Sequence, residues 1–94
     1  MYGLNSEIYD MILEIINKYP SVQFKLFGSR AKGNHRFNSD IDIAIIGQLR
    51  EEEKFDIRNE FDLLDMPYKV DLVFADEVSK QELLKAISEE GIDF

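Results

Sequence analysis

Cysteine is absent from the 94 residues. Disulfides, thiolate metal sites and cysteine nucleophiles are therefore excluded. Bases are scarce: eleven Lys and Arg against nineteen Asp and Glu leave a formal charge of −8 and a pI near 4.5. That balance argues against a general nucleic-acid or anionic-membrane binder. No apolar run approaches the ~20 residues of a membrane span. No basic segment followed by an apolar run opens the chain, so no signal peptide is expected. These absences predict a soluble, cytoplasmic protein. The length predicts one small domain over 1–94, with no separate domain for recognising a second substrate.

Prolines number two, Pro20 and Pro67, and both fall at the ends of patterned segments. Before Pro20, the residues Leu4, Ile8, Met11, Ile12, Ile15, Ile16 and Tyr19 recur at helical spacing and predict a helix over 4–19, capped by Asn5 or Ser6. Val22 to Phe27 alternates as a strand, and Ser29 to Gly33 fits a short helical turn. The turn residues Gly33-Asn34 and Asn38-Ser39 predict a loop over 33–39. A second strand follows over 40–46. Residues 50–65 form a charged amphipathic helix with Phe55, Ile57, Phe61 and Leu64 on its buried side. Residues 68–75 give a third strand. Ser79 and Glu82 have capping-box spacing for a last helix over 79–90, which Gly91 stops. The final Ile92-Asp93-Phe94 reads as a short edge strand or a tail.

The order α-β-turn-β-α-β-α predicts an α/β (α+β) fold with a small mixed sheet. The helix between strands two and three favours parallel pairing, and the short link between strands one and two favours antiparallel pairing.

Asp40 and Asp42 lie two apart on a strand, so they share a face, roughly 6.5–7 Å apart at ~3.3 Å per residue. Two carboxylates so placed can converge on small cations. Oxygen-only ligands favour hard divalent ions, and Mg²⁺ leads where phosphate completes the shell. With strands two and three parallel and aligned at their starts, Asp71 joins the pair. The same register puts Ile41, Ile43 and Ile45 with Val70, Leu72 and Phe74 on the opposite, apolar face. Gly28-Ser29 ends strand one, and an antiparallel hairpin brings it near Asp40. Glycine permits close approach there, and the Ser29 hydroxyl with nearby N–H groups can hold phosphate oxygens. Residues 25–39 carry Lys25, Arg30, Lys32 and Arg36 and no acid. Among these, Arg30 is the favoured phosphate contact. A cationic turn beside an acidic cluster suits a polyphosphate–metal complex. It also suits phosphoryl transfer, where two metals can flank the reacting oxygens. His35 reads as a surface residue, Ser39 as a turn residue, and Glu51-Glu52-Glu53 as acids at a helix start.

Gly28-Ser29, ten residues, then Asp40-Ile41-Asp42 resembles the signature of the DNA polymerase beta-like nucleotidyltransferase superfamily. The fuller run "LFGSRAKGNHRFNSDIDIAI", with "VDLVF" and the closing "EEGIDF", is similar to the minimal nucleotidyltransferases, or MNT proteins, over nearly the whole chain. The resemblance implies a polymerase beta-like fold. It places phosphate binding on Gly28 and Ser29 and Mg²⁺ binding on Asp40, Asp42 and Asp71, two ions in all. Asp71 would also assist the acceptor hydroxyl. Lys32 stands where arginine is common, which keeps charge but loses bidentate geometry. The resemblance further implies ATP as donor and an antitoxin paired with a HEPN-domain toxin, whose tyrosine receives AMP. A binding module that masks its partner by contact is the competing class, motivated by the acidic surface.

Overall fold

The computed structural model describes residues 2–36 and 38–94; position 37 of the expected loop lies outside them. The order is α1 (Ser6–Ile16), β1 (Gln23–Phe27), α2 (Ser29–Lys32), β2 (Ile41–Ile46), α3 (Glu51–Asp62), β3 (Val70–Phe74), a 3₁₀ turn (Ala75–Glu77), α4 (Gln81–Glu90) and β4 (Ile92–Asp93). The strands form one sheet in the order β3-β2-β1-β4. β1 runs antiparallel to β2, and β2 and β3 are parallel, as the connection lengths predicted; β4 takes the edge-strand reading of the last residues and pairs antiparallel with β1.

The register follows from burial. Ile41, Ile43 and Ile45 are at most 1% exposed, and they pair with Val70, Leu72 and Phe74. Their face packs against Ile8, Ile12 and Ile15 of α1 and Ile57 and Phe61 of α3. A one-residue slip would carry that isoleucine row to the other face. The other face is covered towards its far end, where Ala44 and Ile87 are buried and α4 crosses β1. Asn5 is the cap of α1: its Oδ1 accepts the Ile8 N–H at 2.9 Å. Beyond Ile16 the chain tightens into i→i+3 turns, so α1 is shorter than the apolar stripe predicts.

Two helix details differ from expectation. Phe55 is 66% exposed instead of buried. Ile57 sets the buried line, and two residues along a helix rotate by about 200°, which places Phe55 on the opposite side. Lys54 takes the inward position, where its Nζ meets Asp76 Oδ1 at 3.0 Å and Glu77 Oε2 at 2.7 Å. Those bonds hold the 3₁₀ turn, and both carboxylates raise the Lys54 pKa. The reciprocal bond expected at Ser79–Glu82 is not what opens α4, which starts at Gln81 with Lys80 as an uncapped boundary residue. The equivalent bond lies at α3, where Glu53 Oε1 accepts the Arg50 N–H at 3.0 Å.

Candidate active site

The sheet brings three predicted residues to one place. Asp42 of β2 pairs in register with Asp71 of β3 and with Phe27 of β1. Gly28, directly after Phe27, lies against the Asp42 carboxylate. Its backbone sits at φ +76, ψ −154, a region open essentially to glycine. A Cβ at that position would collide with Asp42 Oδ2. The glycine therefore does two jobs: it turns the chain and leaves room for the carboxylate. The hairpin end thus lands on Asp42, two residues beyond the Asp40 position expected from sequence.

Burial pushes the Asp42 carboxyl above its ordinary range. The charges of Asp71 and then Asp40 add to this, as does a hydrogen bond to Asp71. These carboxylates repel one another where they stand, which favours an added positive charge. Asp40 is exposed and immediately precedes β2, while Asp71 is half-buried with Lys69 Nζ 3.5 Å from its Oδ1. Among the described residues, no three His, Cys, Asp or Glu side chains are gathered tightly enough to cage an ion unaided. The donor chemistry nevertheless fits a divalent cation: all-oxygen ligands, and an acid pair whose repulsion such a cation would relieve. An open shell of this kind suits Mg²⁺, which keeps waters or substrate phosphates among its ligands.

Ser29 opens α2 next to Gly28 and is half-buried. The Lys32 N–H closes the turn on Gly28 O at 3.2 Å, and Gly33 ends it with φ +80. Arg30 is placed differently from the expectation of a phosphate contact. It is 1% exposed; Nε and Nη2 donate to Ser39 O at 3.3 and 2.8 Å, and Nη1 donates to Tyr2 O at 2.9 Å. Its Cζ lies over the Tyr68 ring, 4.7 Å from the centroid. A guanidinium so enclosed ties the segment before Asp40 to the N-terminal segment. Lys32 reaches Glu90 of α4 at 3.2 Å. Ser39 makes a turn as expected, accepting the Arg36 N–H on Oγ at 2.8 Å. His35 is half-buried, and among the described residues its Nδ1 has no hydrogen-bond partner, unlike the surface residue expected.

Sequence reasoning overlooked Arg58 and Asp62. With Phe61, Val70, Asp71 and Leu72 they line a cavity of about 220 Å³ beside Asp71. Their i, i+4 spacing on α3 was the available signal.

The family model for polymerase beta nucleotidyltransferases matches residues 10–93. The chain belongs to this family. No curated protein is similar enough to count as a relative. Several solved structures are. A toxin–antitoxin complex with AMP-PNP is 27% identical, with a TM-score of 0.66, over 89% of this chain and 69% of that one. A mutant MntA–HpeT toxin–antitoxin is 26% identical, with a TM-score of 0.67, over 97% and 72%. The tri-AMPylated HEPN toxin of Shewanella oneidensis with its MNT antitoxin is 26% identical, with a TM-score of 0.55, over 99% and 71%. This nucleotidyltransferase chain is thus similar to MNT antitoxins. Among the described residues, no helix is long and apolar enough to cross a membrane.

Proposed function

We propose that this nucleotidyltransferase is an MNT antitoxin that transfers AMP from ATP to a hydroxyl of a partner HEPN toxin, with a tyrosine as acceptor. The observation that carries the reading is the in-register Asp42–Asp71 pair with Gly28 seated on Asp42. Similarity to a complex whose toxin is tri-AMPylated and to one holding AMP-PNP supports the substrate assignment.

Asp40, Asp42 and Asp71 would hold Mg²⁺, which supplies charge neutralisation at the phosphates and acidifies the attacking hydroxyl. Ser29 and the peptide groups beside Gly28 orient the triphosphate. Arg30 acts through position, fixing the Ser39 end of the loop that leads into Asp40. In the transfer, the acceptor oxygen bonds to the α-phosphorus and the bond to the bridging oxygen of the β-phosphate breaks. Pyrophosphate leaves with that electron pair. The hydroxyl proton passes to the Asp71 carboxylate or to water.

The test incubates the protein with labelled ATP, Mg²⁺ and the toxin encoded beside it. Label on the toxin is expected with the wild type and absent with Asp40→Ala/Asp42→Ala. No transfer with any nucleotide, together with equal neutralisation by the double variant, would sink the catalytic reading. The contact-masking alternative draws on one feature: Phe55 of α3 and Leu63 just after it are 66% and 76% accessible, among exposed Glu52, Asp56 and Asp62. It predicts neutralisation without nucleotide and a complex that weakens with salt.

A further inference from the structure

The free edge of β3 lies beside the acids. Among the described residues β3 pairs with β2 alone, at the end of the sheet. Its orientation is set by one bond: Lys69 O accepts the Ile41 N–H at 2.8 Å. Along a strand the peptide groups of successive residues turn to alternate sides. Lys69, Asp71 and Val73 therefore address β2, while Val70 and Leu72 present their N–H and C=O groups outward. Each outward residue offers one donor and one acceptor.

The cavity beside Asp71 opens at this edge. Three consecutive residues of β3 line it: Val70 and Leu72, whose side chains belong to the apolar face, and Asp71 between them, whose side chain belongs to the acidic face. Phe61, Arg58 and Asp62 of α3 supply the wall on the apolar side.

We propose that this edge is the acceptor site: an extended peptide segment adds to β3 as a fifth strand and presents a hydroxyl side chain opposite Asp71. The inference rests on the transferase reading. Alternation decides the geometry. Residues paired across neighbouring strands share a face, so the residue opposite Asp71 projects onto the side that carries Asp42 and Asp71. The two residues flanking it project to the other side, against Phe61 and the exposed carboxylate of Asp62. The recognised segment is therefore a hydroxyl residue, Tyr, Ser or Thr, between apolar or basic neighbours in extended conformation. Main-chain bonds hold it and the flanking side chains select it. Lys69 and Asp71 put charge on the edge, which discourages indiscriminate strand pairing. The bond changes are those of the transfer above: the hydroxyl oxygen gains the α-phosphorus, pyrophosphate departs, and the proton goes to Asp71 or water.

Two measurements test this. Leu72→Pro removes an outward N–H and leaves the β2 ladder its bonds. Labelling of the partner toxin at subsaturating concentration should fall about tenfold or more, with Mg²⁺–ATP affinity retained. The second uses wild-type protein and synthetic peptides spanning the labelled toxin residue, N-methylated at one backbone position at a time. Labelling should be lost at every other position. A flat N-methyl profile, or wild-type labelling by Leu72→Pro, overturns the edge site and leaves the transferase reading standing. If wild-type protein labels neither toxin nor peptide with any nucleotide, the transferase reading has failed, and the edge site falls with it.

Discussion

Replacing Gly28 with alanine tests the link between backbone and site most sharply. At φ +76, ψ −154 a side chain is strained whatever surrounds it, at a cost of about 1–3 kcal/mol. The added Cβ also meets Asp42 Oδ2, so the carboxylate must swing away. For a domain of this size, about 1 kcal/mol shifts Tm by roughly 4–8 °C. Gly28→Ala should therefore lower Tm by about 5–20 °C and weaken Mg²⁺–ATP binding. The two causes separate in a double-mutant cycle. Asp42→Ala removes the collision and leaves the strain, so Gly28→Ala should cost less in that background, with a coupling of about 0.5 kcal/mol or more. Thermal melts in chelator give the stabilities, and titration calorimetry gives the nucleotide affinity. A wild-type Tm for Gly28→Ala would refute the strain argument. Equal costs in both backgrounds would refute the contact with Asp42.

Three further outcomes are expected. Asp42→Asn should stabilise the metal-free protein at neutral pH by about 0.2–1 kcal/mol, the scale of a like-charge cross-strand pair. Because the folded-state pKa of Asp42 is raised, its contribution is fully present below the ordinary carboxylate range and is lost as pH rises through the raised value. The advantage of Asp42→Asn should therefore vanish in acid, as melts across pH in chelator will show. Arg30→Lys keeps the charge but loses the fork that grips Ser39 O and Tyr2 O; it should cost about 1–3 kcal/mol in denaturant unfolding, with ATP affinity changing less than stability. Tyr19 should ionise near pH 12 in ultraviolet titration, raised by burial and by its 2.7 Å bond to Glu60, and Glu60→Gln should bring the midpoint down. That phenol contributes stability below its ordinary value near 10, and the contribution is lost as pH rises through about 12.

The sheet was legible because two demands selected one register. Packing aligned Ile41, Ile43 and Ile45 with Val70, Leu72 and Phe74, and the same alignment paired Asp42 with Asp71. The antiparallel and parallel pairings followed from loop and crossover lengths. Side-chain placement within α3 was harder to read. Phe55 and Phe61 are chemically alike, but rotation about the helix put one outside and left the inward place to Lys54, whose partners Asp76 and Glu77 lie more than twenty residues away. Local sequence carries no record of such a distant pairing. Arg30 illustrates the same limit: its basic, acid-free neighbourhood suggested phosphate, while the carbonyls of Ser39 and Tyr2 and the ring of Tyr68 enclose it. The cavity at Asp71 needed both α3 and β3 in place before it existed.

Intact mass of the partner toxin, purified after co-expression with this chain, tests the central account most directly. Wild-type protein should leave toxin heavier by whole adenylyl increments on a hydroxyl residue, and Asp40→Ala/Asp42→Ala should leave it unmodified and active. Unmodified toxin that is nonetheless silenced by both proteins would contradict transfer at the Asp40, Asp42, Asp71 cluster.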